Sequence, residues 1–185
     1  MKVTEKHVFF YSYKDIFSNH YRSDKAFSLP RHEQEGVKFY TGEHMMMYEK
    51  AMLFADIGKA QEICAAWNPQ KAKMLGREVK GFNNKLWEDS REKIVESVCY
   101  CRLVHDDELR VEAIKHRLAG RSFVEASERD RIWGIGLNED HPMIHDEENW
   151  LGLNLLGKAW DRATDALIEC CGGYDRVRGD FADQA

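Results

Sequence analysis

Only three prolines interrupt this 185-residue chain, at positions 30, 69 and 142, and much of the sequence between them repeats apolar residues with the period of an α-helix. Thr41 is placed to cap a helix over about 43–56, with Glu43 in the first turn, where the helix dipole favours a carboxylate. "DIGKAQEICAAW" reads as a second helix ended by Asn68-Pro69, and "QKAKMLGRE" as a short third. "WEDSREKIVESVCYCRLVHD" is a long fourth, in which Ile94, Val98, Cys101 and Val104 or His105 recur at helical spacing. "DDELRVEAIKHRLAG" is a fifth, stopped by Gly120, and "NWLGLNLLGKAWDRATDALIECC" closes the series before Gly172-Gly173. Strand signals are confined to "HVFFYSY", "GVKFY" and "SFVEAS". The expectation is a helix-rich α+β fold, with a few short strands near the N-terminus and around residues 122–126. No Ser/Gly-rich linker or internal repeat appears, so residues 1–171 are read as one domain and 172–185 as a flexible tail.

Bulk properties narrow the function only by exclusion. Lys and Arg number 27 against 32 Asp and Glu, a net charge of -5, which argues against indiscriminate binding to a nucleic-acid backbone. The start "MKVTEKHVFFYSYKD" lacks the apolar core of a signal peptide, and no stretch approaches a membrane span. The five cysteines form no CxxC pair and are read as reduced thiols of a cytoplasmic protein.

Three places carry chemistry. On the helix "EHMMMYEKAMLF", Glu43 and Lys50 lie seven residues apart and so on one stripe with Met47 and Phe54. An acid and a base there are suited to flanking a bound molecule. The competing reading is that Glu43 serves the helix terminus and Lys50 snorkels to solvent. In "SERDRIWGIG", Asp130 precedes Trp133, Gly134 and Gly136: an acid, an aromatic wall and backbone able to approach a ligand closely. Alternatively, Asp130 caps a turn. In "LGLNLLGK", Asn154 sits between two glycines and offers a donor and an acceptor. Trp87 is either core or a stacking surface for a base. His141 and His145 have the spacing of helical metal ligands, but Pro142 and the surrounding acids mark a loop, so no metal is expected.

The ordered stretches "FSNHY", "GVKFYTGEHMMMYEKAMLF", "NPQKAKMLGR", "LWEDSR", "FVEASERDRIWGIG" and "WLGLNLLGKAW" closely resemble the YbiA-like, or NADAR, family of N-glycosidases, over about residues 9–165. The resemblance implies hydrolysis of N-glycosidic bonds, with riboflavin-pathway intermediates carrying ribose phosphate, or ADP-ribosylated guanine in DNA, as substrates. By motif match it implies that Glu43, Lys50, Asp130 and Trp87 are catalytic. Ser18, Asn19, His44, Arg77, Trp133, Gly134, Gly136 and Asn154 become substrate-binding residues. The run Met45-Met46-Met47 and the insert "LNEDHPMIHDEE" depart from the commoner family pattern. No metal or organic cofactor is called for, and the partner is a ribosyl-amine or an ADP-ribosylated nucleic acid rather than a membrane. A non-catalytic ADP-ribose or nucleotide-binding module is the alternative; it needs the aromatic and arginine residues but not the carboxylates.

Overall fold

The computed structural model describes residues 1–182, and the chain divides into two compact units. One contains Met1–Tyr11 and Asp107–Ala185; the other is Ser12–Asp106, which interrupts the first in sequence. The fold is α+β and rich in helix, as the periodicity predicted. Among the described residues no helix is long and apolar enough to cross a membrane.

The interrupted unit holds a three-stranded sheet, β1 (Lys2–Val3), β2 (His7–Phe10) and β3 (Ser122–Glu125). β1 pairs antiparallel with β2, and β2 pairs parallel with β3, Val8 opposite Phe123 and Phe9 opposite Val124. β2 is buried on both faces, which explains its continuous apolar run in place of alternation. Phe9, Val124, Ala126, Ile135, Leu137 and Ile144 form one core cluster, with Trp150 packed against it. The acidic insert is anchored to this core through Ile144, whose carbonyl accepts the Trp150 indole N–H at 2.9 Å. His141 and His145 do not belong to any metal-holding cluster among the described residues.

The contiguous unit is helical: α1 (Pro30–Gln34), α2 (Gly42–Leu53), α3 (Ile57–Cys64), α4 (Pro69–Gly76) and α5 (Asn84–His105). α2 is its centre, packed by α3, α4 and α5. Every residue from Gly42 to Tyr48 is buried, so this helix has no single apolar stripe; it is enclosed on all sides. The three consecutive methionines suit that position, because unbranched thioethers fill differently shaped gaps around one helix. Thr41 caps it as expected, its hydroxyl accepting the His44 N–H. "GVKFY" forms only an isolated bridge, Phe27 to Phe39, instead of a strand.

The predicted apolar face of α5 holds at Val98 and Cys101 and is wider than expected: Val95, Cys99, Arg102 and Leu103 are also buried, Ile94 and His105 are half-buried, and Val104 is exposed. Arg102 takes a core slot because its guanidinium donates to the carbonyls of Ser18 (3.2 Å) and Ile16 (2.6 Å).

Returning to the first unit, α6 (Asp107–Leu118) and α7 (Leu155–Cys170) both pack in it, and α7 lies against β3. The closing helix was expected from about residue 149, but its regular part begins at Leu155. Asn154 precedes it in a left-handed conformation, φ 52°, which breaks the helix there. The tail expected to be flexible carries a further helix, α8 (Tyr174–Ala182); its last three residues lie outside the described ones.

Candidate active site

The helical unit brings together Glu43, Lys50 and Trp87. Glu43, 2% exposed, stands in the first turn of α2, where its backbone N–H donates to the Asn19 carbonyl at 2.9 Å. Its Oε2 lies 3.8 Å from His20 Nε2. Burial, and then the positive charge of Lys73 and the neighbouring His44, hold the His20 pKa below its ordinary value, so the imidazole beside Glu43 is neutral at pH 7. The turn carrying Asn19 and His20 is fixed from beneath by the two Arg102 hydrogen bonds, so a buried guanidinium on α5 positions the partners of Glu43.

Two turns along α2, the Lys50 ammonium donates to the Gly76 carbonyl at 2.7 Å. It lies 4.6 Å from the centre of the Phe82 ring and 5.4 Å from that of Trp87. Ring faces and a carbonyl favour the charged amine. Burial opposes them and dominates; the Arg77 charge adds to the lowering, Glu43 acts against it, and the Lys50 pKa ends below 10.5. The chemical consequence is an amine that gives up its proton more readily than a surface lysine, beside a carboxylate on the same helix.

Of the residues expected to bind substrate, four lie in this unit. Asn19 is buried, and its Oδ1 has no hydrogen-bond partner among the described residues. Arg77, exposed at the end of α4, is within electrostatic reach of Lys50. Ser18 uses its hydroxyl inside its own turn, accepting the His20 N–H at 3.2 Å. His44 spends both ring nitrogens: Nε2 donates to the Ala66 carbonyl at 3.0 Å, and Nδ1 then accepts from the Thr41 hydroxyl at 2.7 Å. Sequence reasoning did not single out Phe82, His20 or Arg102; none shares a helix face with Lys50, and only tertiary packing reveals them.

The other four, with the catalytic candidate Asp130, lie in the interrupted unit, where most of their polar atoms go to backbone. Asp130 Oδ1 accepts the N–H groups of Ile132 (2.9 Å) and Trp133 (2.8 Å), the turn-capping arrangement. The buried Asn154 amide bridges to β3, accepting from Glu125 N–H at 3.1 Å and donating to the Phe123 carbonyl at 3.0 Å. Gly134 is needed for close approach, but by the protein itself: a Cβ there would meet the Glu125 carbonyl at 2.8 Å and the Ser127 Cβ at 2.9 Å. Gly136 has φ +72°, a turn conformation that suits glycine. Trp133 is half-buried, its carbonyl accepting from Leu156 N–H at 3.1 Å.

Comparison with known sequences matches the NADAR domain over residues 9–168. The chain belongs to the NADAR family. It is 32% identical to protein irg-1 of Caenorhabditis elegans over 173 residues, covering 89% of this chain and 81% of that protein. It is also 31% identical over 161 residues to a protein of Acanthamoeba polyphaga mimivirus named as an N-glycosidase, covering 84% of this chain and 92% of the viral protein. The matched NADAR span contains every candidate residue described above, from Ser18 to Asn154.

Proposed function

We propose that this NADAR protein is an N-glycosidase that hydrolyses the bond between ribose C1 and an exocyclic amine of a nucleobase-like group. The observation that carries the reading is the pairing on α2 of a buried carboxylate with a lysine whose pKa is lowered and whose ammonium is covered by Phe82 and Trp87. The name of the viral relative supports the same reaction class.

Glycosyl cleavage develops positive charge at C1, which a nearby carboxylate stabilises. A ribosyl-amine can ring-open to an imine at C1. Glu43 takes a proton from the Lys50 ammonium, the freed amine adds to C1, Glu43 returns that proton to the departing amine, and a Lys50 Schiff base remains. Water adds to that imine, restoring the sugar aldehyde and the free lysine, so the sum is one water consumed and one C–N bond replaced by C–O. Trp87 stacks on the released ring. Asp130 is proposed as a further acid on the family resemblance alone; its Oδ1 is engaged by backbone, which leaves Oδ2 for proton transfer.

Two leaving groups fit: guanine in ADP-ribosylated DNA and an aminopyrimidine carrying ribose phosphate. Incubating the protein with each, and following product masses, tests the reading. Release of free base from either supports hydrolysis. Binding without turnover of both would favour the nucleotide-binding module instead.

A further inference from the structure

A cavity of about 190 Å³ in the helical unit lies between the start of α2 and the start of α4. Arg22, Lys38, Tyr40, His44, Trp67 and Asn68 contribute to its wall, and no carboxylate does. That is unexpected in a chain with 32 acids against 27 bases. Two other clefts of this unit include Glu35, or Glu49 and Asp89, in their walls.

Neither cation has an ion-pair partner among the described residues. The Arg22 guanidinium is held 4.7 Å over the Tyr40 ring, which fixes its plane while leaving its N–H edge for an anion. His44 adds no charge to the wall: burial lowers its pKa, the Ala66 carbonyl resists, and the Arg22 charge lowers it further. Trp67 stands at the rim, 82% exposed, an arrangement that costs solvation unless something covers the indole. The volume is below the roughly 300–1,000 Å³ of pockets that enclose whole small ligands, so the cavity takes part of a molecule and leaves the remainder outside. His44 directly follows Glu43 on α2 and is electrostatically coupled to His20, which faces the Glu43 carboxylate.

We propose that this cavity binds the phosphoryl group of a phosphorylated ribosyl substrate, with Arg22 and Lys38 neutralising the phosphate and Trp67 covering the group that projects from it. The link to a ribosyl substrate rests on the N-glycosidase reading; binding of the anion does not. The phosphoryl group has two possible sources, a terminal sugar phosphate or the diphosphate of ADP-ribose.

Titration calorimetry with ribose 5-phosphate, ADP-ribose and ribose, at fixed ionic strength, tests the proposal on wild-type protein, Arg22→Gln, Lys38→Gln and Trp67→Ala. All three side chains are exposed, and melting temperatures check that the variants remain folded. At least one phosphorylated ligand should bind far more tightly than ribose, and the tighter of the two names the source. Arg22→Gln should weaken it tenfold or more, Lys38→Gln and Trp67→Ala by less, and Arg22→Lys should recover part of the loss. Glu43→Gln should keep the affinity while losing turnover; if the wild type binds a phosphorylated ligand but turns over no ribosyl-amine, the glycosidase reading fails while the phosphate site stands. Equal affinity of wild type, Arg22→Gln and Lys38→Gln for both phosphorylated ligands would overturn the site.

Discussion

The surroundings of α2 and the turn after β3 contain similar residues, acids beside tryptophan, glycine and asparagine, yet the fold uses them differently. After β3, Asp130 and Asn154 both give side-chain atoms to backbone groups, and Gly134 is packed against the β3 carbonyl of Glu125. Around α2, the first-turn N–H groups are taken by the Thr41 hydroxyl and the Asn19 carbonyl, so Glu43 is not needed as a cap. The side chains of Glu43 and Asn19 are buried without serving as caps, and the half-buried Lys50 gives one hydrogen bond to the Gly76 carbonyl at the end of α4. A motif therefore reveals its chemistry only when the local backbone has been accounted for. Residues of one motif set divide into those that build the scaffold and those proposed to react.

That division makes opposite demands on mutants of the two regions. The largest effect is expected at Lys50: Lys50→Arg keeps the charge but cannot form the proposed imine, so turnover of a ribosyl-amine should be nearly abolished with the melting temperature little changed. Glu43→Gln, an isosteric change, should cut kcat by ~10²-fold or more, again with little loss of stability. Asn154→Ala should do the reverse. Two buried backbone groups lose their partner at ~1–3 kcal/mol each, and thermal unfolding should fall by roughly 5–10 °C. Asp130→Asn sharpens the comparison, because asparagine retains the Oδ1 acceptor while losing the charge. A rate loss at normal stability supports its acid role, and unchanged turnover makes it a turn cap only.

The smallest effect is in pH dependence. The Lys50 pKa is lowered in the folded protein, so between that value and 10.5 the unfolded chain binds more protons and stability rises with pH. Activity should likewise rise through a pKa below 10.5. Differential scanning of wild type against Lys50→Met across that window checks the first, and the kcat/KM profile the second. A flat stability difference would contradict the burial of the amine.

Local signals in the sequence were sufficient for Thr41 as a cap, for the strands β2 and β3, and for the shared face of Glu43 and Lys50, because each depends on neighbours a few residues apart. Arg102 was not legible as core, since a guanidinium reads as polar until the carbonyls of Ile16 and Ser18 are seen to receive it. Asn154 was read inside a helix because its left-handed conformation is set by β3, distant in sequence. The aromatic cover of Lys50 was half visible: Trp87 through its motif, Phe82 only through packing.

The central claim is that Lys50 is a nucleophile and not a phosphate-binding charge. Borohydride added during turnover of a ribosyl-amine should reduce the imine and leave a sugar adduct, and peptide mass spectrometry should place that adduct on Lys50. Steady turnover without any trapped adduct, together with a Lys50→Arg variant that works at close to the normal rate, would contradict the claim and leave direct attack by water as the mechanism.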